Sequence, residues 1–112
     1  MMPLQLNRHL TLEQSVSTPD GAGGFSTSWQ AVGTLWAHVA PGAGREASGE
    51  EITLSRVPYR ITVRGAPVGS PQRPVPGQRL TQVGRVFQVL AVTERDPSGQ
   101  YLTCFAHEEG PA

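Results

Sequence analysis

Residues 29–64 read WQAVGTLWAHVAP, then GAGREASGEE, then ITLSRVPYRITVR. The first segment alternates around Thr34–Val39: Leu35, Ala37 and Val39 fall on one side, and Thr34, Trp36 and His38 on the other. The third alternates again, with Val57, Tyr59, Ile61 and Val63 opposite Arg56, Pro58, Arg60, Thr62 and Arg64. Successive Cβ atoms of a strand point to opposite sides of the sheet, so period two marks a strand with one buried face. The polar, Gly-rich segment between them has too few apolar residues to pack a core of its own. Two firm strands joined by a charged loop are expected, the strands as scaffold and the loop as the working part.

The rest of the chain fits around this pair. Gly and Pro account for 23 of 112 residues, nearly double their usual share, which implies many turns and favours an all-β chain of one domain. Arg8–Glu13 predicts a first strand with Leu10 and Leu12 on one face. The cluster Pro19–Gly24 is turn chemistry, because Pro presets φ and Gly permits positive φ. Phe25–Trp29 either extends the second strand or lies along an edge. Gly33 marks a bulge or bend, and Pro41 ends the strand.

Arg45–Ile52 has the composition for one or two helical turns, weakened at Gly49 by about 1 kcal/mol relative to Ala. Residues 65–77 hold four Pro and three Gly, so no ladder survives and a long surface loop is expected. A compact unit begins at Gln78, with a tight turn at Val83-Gly84-Arg85. Arg85–Thr93, apolar on both faces, reads as a central and most buried strand. Asp96-Pro97-Ser98-Gly99 predicts a type I turn leading into a return strand at Tyr101–His107, after which the tail should fray. The sum is about six strands, a small antiparallel β-barrel or sandwich over residues 1–112.

Net charge is zero but unevenly spread: residues 56–95 hold seven Arg against one acid, and the flanks hold two Arg against eight acids. A basic middle with acidic flanks suits head-to-tail contact between identical copies. No run of about 18 apolar residues is present, so no helical membrane span is expected. The N-terminus lacks the apolar core of a secretory signal, and a single Cys104 offers no disulfide framework, so synthesis in the cytoplasm is the expectation.

Enzymatic constellations are weak. Cys104 with His38 or His107 could form a nucleophile–base pair, but Cys104 shares a face with Leu102 and Ala106, where a small buried hydrophobe is the ordinary reading. The three His and one Cys have no metal-ligand spacing. Glu50-Glu51 and Glu108-Glu109 are adjacent pairs on solvated segments, and the glycines at 21–24 lack the Lys-Ser/Thr and strand-to-helix context of a phosphate loop. No catalytic residue, metal or cofactor is expected.

Arg56, Arg60 and Arg64 recur every fourth residue, on one face at spacings of about 13 Å. They form either a stripe for phosphates or a neighbouring subunit's acids, or simply the solvent face of a half-buried strand. Tyr59 falls on the opposite face, so a base-stacking barrel has little support. Trp29 and Trp36, seven apart, would face opposite ways on a regular strand, with at least one in the core or a subunit interface.

Several ordered pieces resemble a known family: RHLTL near the start, DGAGGFSTSWQAVGTLWAHVAPGAGRE, YRITVR, and GRVFQV followed by a closing hairpin. Together, over roughly residues 8–105, they are similar to the phage head–tail joining family, the small head-closure or stopper proteins of tailed phages and phage-derived gene transfer agents. The chain departs from that pattern in its longer Pro-rich segment and in Val83, where an Asp often precedes Gly-Arg. The resemblance implies a small β-barrel that forms a ring, often of twelve copies, between an adaptor ring below the portal and a tail-completion or terminator protein. It implies a particle's head–tail junction as the location, and a loop directed at the channel for double-stranded DNA. Carried over, that loop is about Pro41–Ser55, with Gly42, Gly44 and Gly49 as hinges and Arg45, Glu46, Glu50 and Glu51 as inter-copy contacts. Arg56, Arg60 and Arg64 become candidates for subunit or DNA contact. The alternatives are a tail-completion role at the same junction, a solitary nucleic-acid-binding barrel, or a small hydrolase with an exposed Cys104.

Overall fold

Among the described residues, alternation of apolar and polar side chains gives six strands: β1 (Arg8–Pro19), β2 (Phe25–Pro41), β3 (Arg56–Arg64), β4 (Arg79–Gln82), β5 (Arg85–Glu94) and β6 (Tyr101–Glu109). The structure is a computed structural model and describes residues 5–42 and 56–109. All pairings are antiparallel, and the order β1-β2-β3-β6-β5-β4 returns to β1 to close a barrel. No helix occurs among the described residues, and the short helix expected at 45–52 lies outside them.

Each strand sends alternate residues inward. Leu10 and Leu12 of β1, Ala37 of β2, Ile61 and Val63 of β3, Leu80 of β4, Phe87 and Val89 of β5, and Leu102, Cys104 and Ala106 of β6 form the buried core. The faces expected for β2 and β3 are as the alternation places them, except that Thr62 on the outer face is also buried and Val57, expected on the buried face, is exposed near the start of β3. The backbone of Thr62 pairs in register with His38 on one side and Thr103 on the other, with β3 flanked by β2 and β6.

β5 is not the most buried strand. A bulge between Val89 and Ala91 throws Leu90 outward, 55% exposed, and brings Val92 rather than Ala91 opposite Cys104. Apolar residues on both of its faces reflect this change of parity, and β6 holds the deeper position. The chain end also differs from expectation: Glu108 and Glu109 continue β6 and pair with β3.

The Pro-rich segment is only partly a surface loop. Turns link Ser70 N–H to Pro67 O, Arg73 N–H to Ser70 O and Gln78 N–H to Val75 O, and they carry Pro74 into the interior. Gly65 makes a close approach: its N–H donates to Gln100 O at 2.8 Å, and a Cβ there would lie 2.1 Å from Gly99 O. The expected turn at Asp96 forms, with Gly99 at φ +70° and the Gly99 N–H donating to Asp96 O at 3.0 Å.

Beyond Glu13, β1 pairs with β2 alone. From Gln14↔Gln30 to Pro19↔Phe25 the two strands form a ribbon that leaves the barrel as an arm. Phe25–Trp29 is therefore an extension of β2, and the bulge falls beside Gly33: Leu12 pairs with Gly33 and Glu13 with Ala31, leaving Val32 extra. That extra residue restores Trp29 to the same face as Trp36. Both lie on the outer surface, Trp36 stacked on His9 at 4.5 Å and Trp29 under Arg79 at 4.1 Å, so neither belongs to the core.

Candidate functional site

The antiparallel barrel has two distinct ends. At one end β2 stops at Pro41, β3 starts at Arg56, the tight turn Val83-Gly84 joins β4 to β5, and β6 finishes at Glu109. At the other end lie the Pro-rich segment, the Asp96 turn and the root of the arm. The two ends of the 41–55 loop that the structure describes, at Pro41–Gly42 and Arg56, therefore lie at one pole of the barrel and the arm at the other.

The loop pole is sealed by polar side chains that the inward parity of the strands places there. Arg85 forms a bidentate pair with Glu108, Nε to Oε2 at 2.7 Å and a terminal nitrogen to Oε1 at 3.0 Å. The same terminal nitrogen donates to the Tyr59 hydroxyl at 3.2 Å, and the guanidinium lies 5.0 Å from the Phe87 ring centroid. Tyr59 meets Phe87 edge-on at 5.2 Å. The hydrogen bond from Arg85 holds the Glu108 carboxyl below its ordinary value, and the same pairing raises the Arg85 guanidinium. Arg8 adds a second contact, donating to Gln82 Oε1 at 2.6 and 3.1 Å. Charge-assisted, bidentate bonds of this kind are short and directional, which suits a rigid rim.

At the loop's root the Gly42 N–H donates to Pro58 O at 2.9 Å, and a Cβ on Gly42 would sit 3.2 Å from the Pro58 side chain. Gly42 thus lets the two ends of the loop approach closely. Of the other loop candidates, Gly44, Arg45, Glu46, Gly49, Glu50 and Glu51 lie outside the described residues. Arg56 opens β3 beside the loop and pairs in register with Glu109. Arg60 and Arg64 are exposed on the outer wall and run away from the loop toward the arm. Arg64 lies 6.0 Å from the Tyr101 ring. The arginine row and the loop are therefore neighbours at Arg56 and separate by Arg64.

Cys104 is buried among core side chains, and burial pushes its thiol up to about 12. His38 and His107 lie at positions of outward parity, on the opposite side of the sheet from Cys104, so no nucleophile–base pair forms between them. Among the described residues no group of three His, Cys, Asp or Glu could hold a metal ion.

Two features escape a linear reading. One is the Arg85–Glu108–Tyr59 cluster, whose members come from three strands. The other is the root of the arm, where Arg79 donates to Glu13 at 2.6 Å while lying over Trp29. The hairpin signal itself was present, in the turn cluster at 19–24 between two Ser/Thr-rich stretches.

A family model described as phage head completion protein matches residues 1–109. Among solved structures, the chain is similar to one in a structure described as the virion of a native gene transfer agent particle. The identity is 52%, the TM-score 0.80, and 98% of this chain and 100% of that chain are covered. It is also similar to protein SF1141 from Shigella flexneri 2a, at 24% identity and a TM-score of 0.63 over 89% of each chain, a likeness of fold alone. No curated protein matches the sequence. Head completion proteins are structural components of the virion at the head–tail junction. The closed six-stranded barrel, the matched 109 residues and the likeness to a virion chain agree, and this protein belongs to the phage head completion protein family.

Proposed function

We propose that the chain is the head-closure, or stopper, component of a tailed phage or gene transfer agent particle. Twelve copies form a ring between the adaptor below the portal and the tail-completion protein, and the loop at 41–55 of each copy reaches into the channel to retain packaged double-stranded DNA. Gly42, Gly44 and Gly49 act as its hinges, and Arg45, Glu46, Glu50 and Glu51 make contacts between copies. Arg56, Arg60 and Arg64 face a neighbouring copy or the passing DNA.

The observation that carries this reading is the division of the barrel into two poles. The loop joins β2 to β3 at one pole, above a rim tied by Arg85, Glu108 and Tyr59 and rooted by the Gly42–Pro58 hydrogen bond. A loop anchored on a rigid rim is able to change state while the barrel keeps its contacts, which is what a gate within a ring requires. Similarity to a chain of a gene transfer agent virion supports the location.

Electron microscopy of particles made with and without the gene tests the joining role. Its absence is expected to give free tails beside emptied heads, and DNA-filled, tailed particles would refute it. The gate is tested separately by Arg45→Ala and by deletion across Gly44–Gly49. Both are expected to leave tails attached while particles lose DNA, and retention of DNA in both would remove the gate and leave joining intact.

A further inference from the structure

We infer that the arm is a self-docking element: Phe25 at its tip seats in the groove beside Leu6, Trp36 and Arg64 of a neighbouring copy. The inference rests on the ring reading above and names one of its contacts.

The arm is built to present its tip. A two-stranded ribbon with solvent on both faces is marginally stable by itself. Here the turn is tied by Asp20, whose Oδ1 accepts from the N–H groups of Ala22 at 2.8 Å and Gly24 at 3.1 Å, with Gly21 and Gly23 at φ +82° and +87°. At the root, Arg79 bridges Glu13 and Trp29. Held at both ends, the ribbon displays Phe25 with 71% of its surface in water. An aromatic ring at the end of a fixed arm gains nothing within its own chain, and such a group marks a contact surface.

The matching concavity lies beside β2 and the end of β3, with Leu35 at its base against the core. Leu6, Thr34, Leu35, Trp36 and Arg64 line an open groove of about 520 Å³, ample for one aromatic side chain. Trp36 remains 56% exposed there. The charges are complementary. Asp20 adjoins Pro19, the strand partner of Phe25, and its carboxyl is held ionised by the turn's N–H groups. Arg64 stands exposed at the groove.

Phe25 and Trp36 lie on one strand, separated by roughly 36 Å at the rise of an extended chain, so a tip cannot fold back into its own groove. Donor and acceptor at different places on the same molecule make a heterologous contact, the type that closes into a ring when the rotation per copy divides a full turn.

The test pairs Phe25→Cys with Thr34→Cys in the full chain, both at exposed positions, with Cys104 buried and unreactive. Purified particles carrying both substitutions, oxidised and run without reductant, are expected to give a ladder beyond the dimer, at least tenfold above either single variant. Phe25→Ser and Arg64→Glu, with unchanged thermal transitions, should each lower assembly of the ring at least tenfold. A neck ring visible by microscopy with no cross-link above the single variants overturns the docking and leaves the ring standing. Cross-linked dimers and nothing larger overturn it too, since they report reciprocal exchange between two copies. Tailed particles whose necks lack any ring of this chain refute the ring reading itself.

Discussion

Arg85 and Glu108 form a bidentate ion pair at the loop pole, and its consequence is a dependence on acid. Glu108 is held below its ordinary 4.5, first by the Arg85 hydrogen bond. A carboxyl depressed in the folded state contributes its stabilisation above the unfolded value and loses it as pH falls through the folded value. Asp20 and Asp96 are lowered too, by the N–H groups of Ala22 and Gly24 and chiefly by Ser98 respectively, and act in the same direction. Thermal stability should therefore hold from neutrality to about pH 5 and fall below 4.5. Glu108→Gln should lower Tm at pH 7 by about 4–8 °C, as loss of roughly 1 kcal/mol does in a domain of this size. The difference from wild type should close toward pH 2, and melting curves across that range check it. A gap unchanged from pH 7 to pH 2 would mean that the charge of Glu108 contributes nothing. Cys104 was legible at this scale because its parity with Leu102 and Ala106 set its environment. The Arg85–Glu108 pair was not, because strand parity says which way a residue points and not which distant residue it meets.

At the scale of elements the arm is the feature that depends most on few contacts. It has neighbours on one side of each strand only, and its orientation rests on Arg79 between Glu13 and Trp29. Arg79→Ala should speed amide exchange across residues 14–30 at least tenfold while β5 and β6 keep their protection, because local opening follows local contact density. Equal acceleration throughout the chain would place Arg79 in the stability of the whole barrel. Only the second half of the arm was read from the sequence, as Phe25–Trp29 extending β2 or lying along an edge; the first strand, expected over Arg8–Glu13, runs on to Pro19. The extra residue Val32, which puts Trp29 and Trp36 on one face, was marked only by the neighbouring Gly33.

For the whole molecule, the balance of charge separates a ring component from a solitary DNA binder. Positive charge on the outer wall of β3 is supplied by Arg60 and Arg64, with Arg56 nearer the loop. A free chain that engages DNA through two such contacts would lose affinity with salt at a log–log slope of roughly −2. Binding of the isolated chain to duplex DNA should accordingly be weak and show a slope no steeper than that. A slope of about −6 or beyond, measured by titration at several salt concentrations, would instead favour a dedicated nucleic-acid-binding barrel.

Period-two alternation sufficed for about six strands, for the inward residues of β1, β2, β3 and β6 and for the loop between β2 and β3, because the pleat of a strand is a local property of the backbone. Turn chemistry was equally local, and Asp96–Gly99 folds as its residues dictate. Closure of the sheet by β4 on β1, the burial of Pro74, the outward Leu90 and the partner of Glu108 came from tertiary structure alone. Each of these depends on which strands become neighbours and where a bulge shifts the parity, and those are settled by packing between residues far apart in the chain.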